Sequence, residues 1–127
     1  MRTAFLKPVL AAALLLSAVT VSAPAATAAP AAGWDRCPNG SFCIFDGRDG
    51  TGTIAWFRSG SPDLRGQSMD NRTSSYWNRT GTVFALHDWY GYGGNCWPIW
   101  NQSPANLQSV NAAWDNIASS VSRGSCG

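Results

Sequence analysis

One hexapeptide pattern occurs twice in this chain, and that duplication limits the fold more than any other feature. Met69-Asp70-Asn71-Arg72-Thr73-Ser74-Ser75 aligns with Trp114-Asp115-Asn116-Ile117-Ala118-Ser119-Ser120, a large apolar residue followed by Asp-Asn-x-x-Ser-Ser. Upstream of each stands a Ser-Pro pair with a leucine shortly after it, Ser61-Pro62-Asp63-Leu64 and Ser103-Pro104-Ala105-Asn106-Leu107. Further upstream still, Phe45-Asp46 with Gly52 matches His87-Asp88 with Gly94. The segments follow in the same order in both halves, so the halves are copies of one unit.

Each copy reads as β. Residues 42–46 and 82–88 are short aromatic and β-branched runs, and each passes into a Gly-rich turn, residues 47–52 and 91–94. Residues 53–58 and 96–100 return as second strands, Leu64 and Leu107 sit near short third strands, and residues 74–77 and 119–122 begin the fourth. Four strands in each of two copies give an all-β, eight-stranded sandwich. Helix is expected only as a turn or two between the second strand and the Asp-Asn pair.

The first residues follow different rules. Arg2 and Lys7, the apolar stretch 9–21 and Ala26-Thr27-Ala28 have the layout of a secretory signal peptide, expected to span residues 1–28. The apolar stretch falls short of the roughly 20 residues of a membrane span. A short tail, residues 29–36, then leads into one domain over residues 37–127, with motif 1 at about 37–80 and motif 2 at about 81–127. Removing Arg2 and Lys7 from the nine basic residues leaves seven Arg against seven Asp, with no Glu. That balance offers nothing to a nucleic acid or an anionic membrane, both of which need a basic surplus. The expected product is extracellular and monomeric. All seven tryptophans lie beyond the leader, and most are expected in the core.

Four cysteines, Cys37, Cys43, Cys96 and Cys126, suit two disulfides in an exported chain. Three pairings are possible; Cys37–Cys43 with Cys96–Cys126 is preferred, a small local loop and a tie on the C-terminus. Zinc is disfavoured, since there is no Cys-x-x-Cys and His87 is the one histidine. His87-Asp88 is no catalytic triad either. No Gly-x-Ser-x-Gly elbow accompanies it, there is no Glu for a paired-carboxylate hydrolase, and no enzyme is expected.

The duplicated Asp-Asn-x-x-Ser-Ser, preceded by an aromatic-turn-Gly hairpin, resembles the βγ-crystallin family. Phe84, His87, Asp88, Tyr92 and Gly94 fit its hairpin spacing, whereas the first copy has Gly50 where Tyr92 stands, which implies a less firmly pinned hairpin. The opening Cys37-Pro38-Asn39-Gly40-Ser41-Phe42-Cys43 is similar to that of small secreted bacterial metalloproteinase inhibitors, family thirty-six of the peptidase inhibitors. The resemblance implies two Greek-key motifs and calcium bound between them. It implies as ligands Asn71, the Arg72 carbonyl and Ser74, and Asn116, the Ile117 carbonyl and Ser119, with Asp70 and Asp115 bracing the loops or adding charge. Serine from one copy joins asparagine from the other, and a hairpin carbonyl completes each set. Calcium accepts neutral oxygens, but affinity follows ligand charge. Asn at the second clamp position and the Arg72 cation therefore imply binding of roughly micromolar to sub-millimolar strength.

Function divides accordingly. The inhibitor-like opening implies an extracellular metalloproteinase as partner, met through the 58–67 connection or the turn around Tyr90. The clamps alone imply a calcium-stabilised structural or stress-related module, and crystallin-like exported proteins also include killer-toxin-like and cell-wall-associated ones. Trp89, Tyr90 and Tyr92 crowd a Gly-rich turn and are candidates for recognition.

Overall fold

The structure is a computed structural model that describes residues 33–100 and 102–127. The expected signal peptide, residues 1–28, lies outside the described residues, as do residues 29–32 of the tail. Eight strands run in order: β1 (Phe42–Phe45), β2 (Ile54–Phe57), β3 (Gly60–Ser61), β4 (Ser75–Asn78), β5 (Phe84–His87), β6 (Cys96–Ile99), β7 (Gln102–Asn106) and β8 (Ser120–Arg123). Between the second strand and the Asp-Asn pair of each copy lie, as expected, the 3-10 turns Leu64–Gln67 and Ala112–Trp114 and the one-turn helix α1 (Leu107–Val110). Further 3-10 turns form where none was expected, at Trp34–Arg36 and, inside the two hairpin turns, at Arg48–Gly50 and Tyr90–Tyr92.

Two antiparallel four-stranded sheets form, in the orders β2-β1-β4-β7 and β3-β8-β5-β6. Each sheet takes three strands from one copy and the third strand from the other, so β7 pairs with β4 and β3 with β8. This exchange makes the architecture a pair of interlocked Greek keys. Neither copy can complete a sheet without its twin.

Of the four inner strands, β1 and β5 are buried at every residue. Period two sends Phe42, Ile44, Phe84 and Leu86 into the sandwich, where they meet Leu64, Met69, Tyr76, Leu107, Trp114 and Val121. Phe42 and Phe84 stack across the middle at 5.0 Å. The opposite face of β1 would be open in a bare sandwich. Here Cys43 and Phe45 form a second cluster with Cys37, against which Trp34, Ile54 and Trp77 pack. The disulfides are Cys37–Cys43 and Cys96–Cys126, as preferred from the sequence, and no described cysteine is free.

Two expectations need correction. Of the tryptophans only Trp114 is buried; Trp97, Trp34 and Trp77 pack half-buried against the two clusters, while Trp56, Trp89 and Trp100 are exposed. The interior is filled mainly by Phe, Leu, Ile, Met and Tyr side chains, and three of the indoles pack at the margins of the two clusters. The first hairpin is also no looser than the second. Tyr92 packs over His87, with ring centroids 5.7 Å apart. In the first copy Trp34 stands edge-on to Phe45, the counterpart of His87, at 5.5 Å. Gly50 replaces Tyr92 because a Cβ there would lie 2.9 Å from the Trp34 ring. The missing aromatic comes from the N-terminal segment, and Arg36 adds a bond from Nη2 to the Gly50 carbonyl at 2.7 Å.

Candidate metal centre

The two Asp-Asn-x-x-Ser-Ser segments are loops that meet where the sheets exchange strands. Asn71 and Asn116 both adopt left-handed backbone, with φ of 54° and 63°, a conformation asparagine tolerates better than most residues. That bend turns the Asn71 N–H to the Ala118 carbonyl and the Asn116 N–H to the Thr73 carbonyl, each at 2.9 Å. The side chains cross as well. Ser74 Oγ donates to Asn116 Oδ1 at 3.0 Å, and Ser119 Oγ to Asn71 Oδ1 at 3.5 Å. The structure thus brings the amide of each copy to the first serine of the other.

The second serines have a role that the sequence reading missed. Ser75 Oγ donates to the Gly47 carbonyl at 2.6 Å and accepts the Gly50 N–H at 3.1 Å. Ser120 Oγ repeats this with the Trp89 carbonyl at 2.6 Å and the Tyr92 N–H at 3.1 Å. Hence the first serine links the copies and the second fixes its own hairpin. Asp46 and Asp88 were also overlooked as functional groups. Their Oδ1 atoms accept the N–H of Thr53 at 2.9 Å and Asn95 at 2.7 Å, closing each Gly-rich turn. Their equal placement in the two copies was the available signal.

Asp70 and Asp115 brace the loops. Asp70 Oδ2 accepts the Tyr90 hydroxyl at 2.7 Å, a bond that raises the phenol's pKa above its ordinary value. Asp115 Oδ2 accepts Gln108 Nε2 at 3.0 Å and Asn116 Nδ2 at 3.3 Å. In both residues Oδ1 is buried without a hydrogen-bond partner, an arrangement that is costly for a carboxylate. Among the described residues no group of three or more His, Cys, Asp or Glu could hold a metal ion. A cation here would therefore be held chiefly by amide, hydroxyl and carbonyl oxygens. The crossed Asn–Ser pairs and the two orphaned carboxylate oxygens fit such a hard, oxygen-seeking ion.

The third clamp positions differ. The Arg72 guanidinium donates from Nη1 to the Ser68 carbonyl at 2.8 Å and from Nη2 to the Asp46 carboxylate, an ion pair. Ile117, its counterpart, packs half-buried against the main core.

Beside the Asn71–Ser119 pair lies an open pocket of about 380 Å³, lined also by Asp88, Trp89 and Tyr90. Trp89, Tyr90 and Tyr92 are 68%, 44% and 45% exposed. Their turn is docked on the 58–67 connection: the Gly91 N–H donates to the Pro62 carbonyl at 2.8 Å, and the Arg65 guanidinium lies 4.2 Å over the Tyr90 ring. The two segments considered for partner contact are one surface.

His87 Nε2 and Ser122 Oγ lie 2.7 Å apart. The ring is buried, and its Nδ1 has no partner, so no third group orients it as a general base would require. The pair is a side-chain hydrogen bond between the paired strands β5 and β8.

A model of peptidase inhibitor family I36 matches residues 30–99, which span the first copy and the first hairpin of the second. No curated protein matches the chain. Among solved structures, a βγ-crystallin from Ciona intestinalis aligns with TM-score 0.59 and 23% identity over 66% of this chain and 99% of its own. A βγ-crystallin from an archaeon gives TM-score 0.59 and 19% identity over 68% and 99%. A structure described under the evolution of the eye lens βγ-crystallin domain fold gives 0.61 and 16% over 72% and 92%. At these identities the likeness establishes the fold.

Proposed function

Since the chain belongs to peptidase inhibitor family I36, we propose that it is a secreted, non-catalytic inhibitor of an extracellular metalloproteinase, with calcium bound at its two crossed clamps. The family match carries the inhibitor part. The two disulfides and the docking of the Tyr90 turn on the 58–67 connection support it, because an inhibitor surface binds well when its shape is fixed beforehand. Disulfides also suit an oxidising compartment outside the cell.

The calcium part rests on Asn71, Ser74, Asn116 and Ser119, with the Arg72 and Ile117 carbonyls beside them and Asp70 and Asp115 supplying charge. The observation behind it is the reciprocal crossing of amide and serine at 3.0 and 3.5 Å. A bound ion would tie the two Greek keys together and stabilise them by about 3–4 kcal/mol when calcium exceeds its Kd by 100- to 1,000-fold.

The test is inhibition of a thermolysin-type metalloproteinase by the purified protein, in calcium and in chelator. Stoichiometric loss of protease activity is expected. Full protease activity at a large molar excess, in both conditions, would remove the inhibitor reading for that protease class. A calcium-stabilised structural module would then be the better account, provided that calcium raises the melting temperature.

A further inference from the structure

The two clamps are built from one motif, yet their rims carry different charges. Around the Asn71–Ser119 pair, the hairpin supplies Asp88, Trp89 and Tyr90. Among the described residues Asp88 takes side-chain hydrogen bonds only from Asn95, through its backbone N–H and its Nδ2. Asp70 meets the neutral Tyr90 hydroxyl, and Arg65, which stacks on that ring, is already paired with Asp63 at 2.8 Å. Among the described residues no guanidinium bonds to Asp70 or Asp88.

Around the Asn116–Ser74 pair, the same positions read otherwise. Arg48 stands where Tyr90 does, and it reaches Gln108 Oε1 at 2.5 Å, while Gln108 Nε2 holds Asp115 at 3.0 Å. Arg72 stands where Ile117 does and pairs with Asp46, the counterpart of Asp88. Asp49 adds a carboxylate, tied to Asn106 through Oδ1 at 2.7 Å. Among these groups the first clamp is bordered by two carboxylates, Asp70 and Asp88, neither in an ion pair. The second is bordered by three, Asp46, Asp49 and Asp115, together with Arg48 and Arg72, a single net negative charge.

We propose that the clamps are inequivalent: the Asn71–Ser119 clamp takes calcium first, and Arg48 and Arg72 act as a built-in cation that holds the Asn116–Ser74 clamp and weakens its affinity. This rests on the calcium reading above. A unit charge within about 8 Å of a divalent ion in a water-like medium changes its affinity roughly five- to tenfold. One net charge separates the two rims, so the second calcium should bind about five- to tenfold more weakly than the first, and the gap should shrink at high ionic strength.

Calorimetric or chelator-competition titration of the purified protein with calcium alone tests this. Two resolved steps are expected. Asn71→Ala should abolish the tighter step and Asn116→Ala the weaker. The double exchange Arg48→Tyr with Arg72→Ile removes both guanidiniums and leaves the three carboxylates, so it should tighten the weaker step by roughly 25-fold or more. Both arginines are exposed, so the exchange leaves the core intact. Equal steps in the unaltered protein, loss of the tighter step in Asn116→Ala, or an unmoved weaker step in the exchange would each overturn the inequivalence while leaving calcium binding intact. No calcium binding by any of these proteins would defeat the calcium reading, and this inference with it.

Discussion

Two glycines in the second hairpin give a sharp test of how the duplicated turn is held. Gly91 and Gly94 both have positive φ, 63° and 72°. An ideal Cβ on Gly91 meets nothing within 4 Å, whereas one on Gly94 would lie 2.1 Å from Asp88 Oδ1 and 2.9 Å from the Trp89 ring. Left-handed backbone costs an L-residue about 1–2 kcal/mol, and reduced freedom of the unfolded chain returns about 0.4–1 kcal/mol. Gly91→Ala should thus lose roughly 0.5–1 kcal/mol. At Gly94 the Asp88 carboxylate must also move, which breaks its bond to the Asn95 N–H, a charge-assisted bond worth about 1.5–3 kcal/mol. Gly94→Ala should therefore lose roughly 2–4 kcal/mol. Urea unfolding of the disulfide-intact protein in chelator, compared at equal m-value, gives both numbers. Equal losses at the two glycines would refute the reasoning, since backbone strain alone would then account for both.

Other outcomes follow from the same geometry. Replacing Cys96 and Cys126 by serine opens a loop with a sequence separation of 30, and the chain-entropy model puts the cost at about 3–4 kcal/mol; a melting temperature unchanged from the parent would contradict this. Burial depresses the His87 pKa below 6.5, although Asp88 opposes the shift. The unfolded chain then takes up the proton first, so stability is complete above about pH 6.5 and falls as pH drops from there. Unfolding free energies measured between pH 7 and 5 should decline in the parent and stay nearly flat in His87→Phe, which places the Phe45 counterpart in that position.

Much of this molecule is readable in one dimension because it is written twice. Asp70–Ser75 and Asp115–Ser120 are identical at four positions, and that identity disclosed a duplicated four-stranded unit, while the two Greek keys and the proposed ligands came from the resemblance of the motif to βγ-crystallins. Aromatic and β-branched runs then marked β1 and β5, and turn glycines marked the hairpins. The cysteine pairing was legible only as a preference among three. What the pattern could not convey was contact between residues that occupy no common motif. Trp34 sits outside the repeat, so nothing in the sequence says that it replaces the aromatic absent at Gly50. Arg72 looked like a cation that would weaken its own loop, but its side chain crosses to Asp46 on the first hairpin. Likewise the exchange of β3 and β7 decides which serine faces which asparagine, since it brings the two loops together. Sequence alone determined the unit and its duplication, because local periodicity and turn chemistry act over a few residues. The tertiary structure alone decided the electrostatic character of each clamp, because that depends on which long side chains from distant segments fill the shared space.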